Sequence, residues 1–72
     1  MNGIDERIQF LEDNVKGLKK ELRRLKTAIN RLEKLELSIP NEILVKKDIT
    51  ENVLKENKQE LKALKKVAEL IK

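Results

Sequence analysis

Residues 4–32 read "IDERIQFLEDNVKGLKKELRRLKTAINRL". Large apolar residues stand at Ile4, Ile8, Leu11, Val15, Leu18, Leu22, Leu25, Ile29 and Leu32, at intervals that alternate four and three without a break. On a helix this period gathers them into one narrow stripe, whereas on a strand it would scatter them over both faces. The stretch predicts a helix over about 3–36, roughly 50 Å long at ~1.5 Å per residue. Asn2 is placed to cap it, with Asp5 near the positive end of the helix dipole.

In heptad notation Ile8, Val15, Leu22 and Ile29 take position a, and Ile4, Leu11, Leu18, Leu25 and Leu32 take position d. β-Branched a residues with leucine at d favour a parallel two-stranded coil. In such a dimer the flanking residues pair as Arg7–Glu12, Asn14–Lys19, Glu21–Lys26 and Ala28–Glu33, of which two attract and none repels. Gly17 lies at an outer position, where it costs about 1 kcal/mol relative to alanine.

Toward the C-terminus, Asp48 and Glu51 have capping-box spacing, which starts a second helix at about 49 and runs it to 72. Its seam is Leu54, Asn57, Leu61, Leu64, Ala68 and Ile71, and Val53, Val67 and Leu70 widen the apolar face toward what a bundle uses. Asn57 in that seam reads first as a part-exposed polar residue, and second as a register-fixing contact between copies. Folded back antiparallel, a helix of about 24 residues reaches only to about residue 12. Ile4, Ile8 and Leu11 are then expected to lack a partner within the chain.

Between the helices lies a connector over 37–48, "LSIPNEILVKKD", with five large apolar residues. Three forms fit it: an irregular loop, a short helix that starts at Pro40 with Ile43 and Leu44 inward, or a β-hairpin around Pro40-Asn41. The hairpin ranks last, because two-residue hairpin turns want a positive φ that proline cannot adopt. In every form the apolar residues are expected to seal one end of an assembly.

The chain has 72 residues, no cysteine and no histidine, and 42% of its residues are charged. One domain of this size, without disulfides or thiolate zinc, usually completes its core by association. The expected architecture is therefore all-α: a single helical domain over 1–72, a helical hairpin with a long heptad-repeat first helix. It is expected to assemble as a homodimeric or higher coiled coil or four-helix bundle through the two seams. No segment approaches the roughly 18 apolar residues of a membrane span, and "MNGIDERIQF" is not a secretory leader. A soluble, cytoplasmic protein without membrane contact is expected.

Catalytic groups are scarce. Ser38, Thr27 and Thr50 are the only hydroxyl side chains, and Gly3 and Gly17 are the only glycines, so no glycine-rich phosphate loop exists. No enzyme activity, metal or cofactor is expected.

Charge is unevenly spread. Residues 1–15 carry a net −3, residues 16–34 a net +6 and the remainder +1, within a total of +4. Lys16, Lys20, Arg23, Arg24, Arg31 and Lys34 fall on outer positions of the first helix. The plain reading is a solvated face. The alternative is a nucleic-acid surface, although no aromatic residues are interleaved for stacking and the basic segment overlaps the heptads instead of preceding them.

In its hairpin form the connector gives the order helix–hairpin–helix, and that order, with "ILVKKD" leading into a heptad helix, resembles the subunits of prefoldin, a chaperone that assembles through β-hairpins. The likeness covers about residues 35–64 of a chain about half the family's length. It implies a further alternative, client binding through exposed seam residues near the helix tips.

Overall fold

The computed structural model describes residues 3–71. It is two α-helices packed side by side, α1 over Gly3–Lys34 and α2 over Asn41–Leu70. The rod measures 55 × 15 × 14 Å, with a radius of gyration of 16.4 Å. A compact chain of this length would have a radius near ~11 Å. The expected Asn2 cap lies outside the described residues.

Three ion pairs fix the direction of packing. Arg7 Nε donates to Glu60 Oε2 at 2.8 Å, and Lys46 Nζ lies 3.1 Å from Glu21 Oε1. Fourteen residues forward along α1, from Arg7 to Glu21, therefore correspond to fourteen backward along α2, from Glu60 to Lys46. On the other flank Lys65 Nζ lies 3.7 Å from Glu12 Oε1. The helices are antiparallel, and Arg7, Glu12 and Glu21 all reach across to α2, not to the partners that a parallel pair would give them.

The first helix ends sooner than its heptads suggest, and its end has a clear cause. Leu37 N–H donates to the Leu32 carbonyl at 2.9 Å and Glu36 N–H to the Glu33 carbonyl at 3.0 Å. These are the two bonds of a Schellman cap, which needs a left-handed residue at the second of those donors. Glu36 takes that role with φ 56°, the only non-glycine residue at positive φ among the described residues.

The second helix differs most from expectation. It begins at Asn41, eight residues before the expected start, and runs for 30 residues against the 32 of α1. Pro40 sits just before it with φ −57° and ψ 135°, and its carbonyl accepts from Ile43 N–H at 3.0 Å and Leu44 N–H at 3.4 Å. Proline has no N–H to lose at a helix start and cannot lie deeper in the helix, so it sets the boundary. Asp48 is inside α2 and exposed, and caps nothing. The hairpin form of the connector is overturned, because 41–48 is helix; only 35–40 is turn or irregular.

A longer α2 removes the length mismatch. Leu11 is 0% exposed and is the most enclosed side chain among the described residues, and Ile4 and Ile8 are half-buried. The expectation that these three lack a partner within the chain is therefore corrected. The core is Leu11, Val15, Leu25 and Ile29 from α1, with Leu54 and Ala68 from α2.

Along α2, Ile43, Lys47, Thr50, Leu54, Asn57, Leu61, Leu64 and Ala68 are buried or half-buried at alternating intervals of four and three, and Glu51 beside this seam is half-buried too. Three of the seam positions are polar: Lys47 and Thr50 in the half nearest the connector, and Asn57 just past the middle of the helix. Thr50 is buried, and its Oγ1–H donates to the Lys46 carbonyl at 2.7 Å. Lys47 is half-buried; it lays its stem on the seam and carries its ammonium out to Glu51, 3.5 Å away. Asn57 is half-buried. Among the described residues no fully buried side-chain polar atom is left without a hydrogen bond.

Candidate interaction surfaces

Of the residues read from the sequence as an oligomer seam, all but Ile71 are buried or half-buried inside a single chain. Ile4, Ile8, Leu18, Leu22 and Leu32 of α1 are half-buried beside the four buried α1 core residues. On α2, Leu61 and Leu64 are half-buried like Asn57, while Ile71 just past the helix end is 58% exposed. Leu11 has no free surface, and the exposed apolar side chains at this end of the hairpin are Phe10, Leu70 and Ile71.

Apolar surface is left instead on a flank of α2. Val45, Ile49 and Val53 follow one another four residues apart, and Val67 and Leu70 return to the same side five turns on. Their exposures run from 38% at Val53 to 80% at Leu70. At 100° per residue this stripe lies about a third of a turn from the enclosed positions. Glu56 and Glu60 fall within it, and Glu60 is paired with Arg7. The Arg7 guanidinium also lies 5.2 Å from the centre of the Phe10 ring, which brings the one aromatic side chain, half exposed, to this flank. At the connector, Leu37 is exposed while Ile39 and Ile43 are half-buried.

Basic side chains gather in two places. Lys20, Arg23, Arg24 and Arg31 share a shallow groove along α1 with Thr27, Ala28 and Leu32. Lys16 and Lys34, also read as part of that face, are exposed but do not line it. The second place lies between the helices. Lys19, Arg23 and Lys26 of α1 and Lys58 of α2 surround a depression floored by Leu22 and Leu54. It continues along α2 past Lys55, Gln59 and Lys62, with Glu51 among its lining residues.

The cross-helix groove was not legible in the sequence. Heptad reasoning places Lys19 and Lys26 beside the seam of a dimer and singles out none of Lys55, Lys58 and Lys62. Their 3-and-4 spacing was the available signal, but its use requires the antiparallel register. Heptad by heptad, that register runs from Glu12 opposite Lys65 to Lys19 opposite Lys58, a like-charged step.

Among the described residues no group of three acidic side chains is placed to hold a metal ion, and no helix is long and apolar enough to cross a membrane. In comparisons with known proteins, no family model, curated protein or solved structure matches the chain.

Proposed function

We propose that the chain is a non-enzymatic, cytoplasmic assembly module whose partner is a second copy of itself, two hairpins joining side by side as a four-helix coiled-coil bundle. The observation that carries this reading is the apolar flank of Ile49, Val53, Val67 and Leu70 with Phe10 beside it. The heptad seam that first suggested pairing between chains is occupied within the hairpin, so association uses the flank.

Surface area supports the same reading. The chain exposes 5896 Å², whereas a compact monomer of 8.4 kDa would expose about 4,600 Å². The excess is roughly 1,300 Å², and a symmetric interface of ordinary size removes about 800 Å² from each partner. The half-buried Ile39 and Ile43 and the exposed Leu37 would close one end of such a bundle. Its role would be to dimerise or scaffold whatever is joined to it.

Sedimentation equilibrium over a concentration series tests this. The expected mass rises from the 8.4 kDa chain toward a multiple of it. The double variant Ile49→Lys, Val67→Lys should remain a single chain with its helical circular dichroism intact. A wild-type protein that stays at 8.4 kDa at every concentration refutes the proposal.

A further inference from the structure

We infer that the basic groove between α1 and α2 binds the phosphate backbone of duplex nucleic acid. Lys19, Arg23 and Lys26 form one wall, and Lys55, Lys58 and Lys62 form the other. The inference does not depend on self-association, since every wall residue comes from one chain.

The first argument is the charge pattern across the seam. One heptad places Glu12 against Lys65, an attraction; the next places Lys19 and Lys58 at the same groove, a repulsion. Like charges held across a packed pair destabilise it by about as much as opposite charges help. A chain shaped only for hairpin stability would alternate signs here. A bound anion removes the conflict.

The second argument is availability. Arg7, Lys46, Lys47 and Lys65 are each within 4.0 Å of a carboxylate. Among the described residues, none of the six wall cations is in such a pair. Glu51 lines the groove, but its carboxylate is engaged with Lys47.

The third argument selects the ligand. Each wall spans seven residues, or roughly 10 Å of helix. Duplex nucleic acid carries one charge per ~1.7 Å of axis, so about six charges fall in that length, matching the six cations. A fully charged acidic peptide offers only one per ~3.3 Å. Single strands are held largely by aromatic stacking, and Phe10, the one aromatic residue, lies on the Arg7–Glu60 flank. An anionic bilayer would call for apolar side chains that project, whereas Leu22 and Leu54 are half-buried and buried on the groove floor.

The test is fluorescence anisotropy of the full chain with short DNA and RNA duplexes across a salt series. Contacts to four to six phosphates predict a log–log salt slope of about −4 to −5, so affinity falls by ~10²–10³ between 50 and 200 mM salt. Lys58→Glu should weaken binding on the order of tenfold or more and raise the thermal midpoint, because it gives Lys19 the kind of partner that Glu12 gives Lys65. Lys26→Ala, on the exposed wall, should lower the slope by about 0.9 without loss of helix. Lys46→Gln, on the opposite flank of α2 where Lys46 pairs with Glu21, should change neither binding nor slope. Absence of duplex binding at low salt, a flat salt response, or undiminished binding by the two groove variants overturns the inference. So does tighter binding to single strands, or binding to anionic vesicles and not to duplexes.

Discussion

The Schellman cap of α1 places a glutamate where the backbone favours glycine. Glu36 has φ 56°, and its N–H and that of Leu37 close the last turn. An L residue in this conformation costs roughly 1–2 kcal/mol, because Cβ crowds the following carbonyl oxygen. Glu36→Gly removes that strain but gives the unfolded chain more freedom, which returns about 0.5–1 kcal/mol. The net gain is about 0.5–1 kcal/mol, to which loss of a carboxylate at the negative helix end adds a few tenths. For a chain this short, 1 kcal/mol moves the thermal midpoint by about 4–8 °C. Glu36→Ala separates the terms: it deletes the charge but keeps the strain. Thermal unfolding followed by far-ultraviolet circular dichroism, at one fixed protein concentration, should therefore rank glycine above alanine, and alanine level with or slightly above glutamate. If the glycine variant is no more stable than the alanine variant, the left-handed cap at Glu36 is wrong.

Two other substitutions probe the helix pair. Leu11→Ala empties the most enclosed side-chain site among the described residues and should cost about 2–5 kcal/mol, seen as a lower urea midpoint and, in so small a chain, extensive unfolding at room temperature. Gly17→Ala should instead stabilise by about 1 kcal/mol in the same assay, because a Cβ there meets nothing within 4 Å and alanine is the better helix former. An unchanged or lowered midpoint for Gly17→Ala would show that the helix does not run through this position as described.

The existence of α1 could be read directly, because its nine apolar residues keep one period and few other structures use that period. The second seam was readable only from Leu54 onward. Toward the connector it continues through Thr50 and Lys47 to Ile43, and the first two are residues that a hydrophobic pattern does not count. Both are compatible with the seam for reasons outside that pattern: a lysine stem can lie on apolar surface while its charge leaves, and a threonine hydroxyl can bond the carbonyl four residues earlier. The capping-box spacing of Asp48 and Glu51 was a false start signal. Two residue types at the right interval do not make a cap once the preceding turn is already helical. Pro40 was the better signal, since it constrains the backbone itself.

For the candidate surfaces, the α1 basic residues were legible and the groove was not. Arg23 could be placed on an outer face from the heptad alone. That it also stands across from Lys58 depends on which residues of α2 lie level with it.

The sequence by itself determined two helices, a proline break between them, and an excess of positive charge on the latter half of the first. These are local properties, set by side-chain period and by which backbone angles a residue permits. The tertiary structure decided how far α2 extends, that the α1 seam is filled from within the chain, and which charges face each other across the pair. Those depend on register between segments far apart in the chain. Register is set by the sum of many weak contacts along the whole interface, and no short stretch of sequence contains that sum.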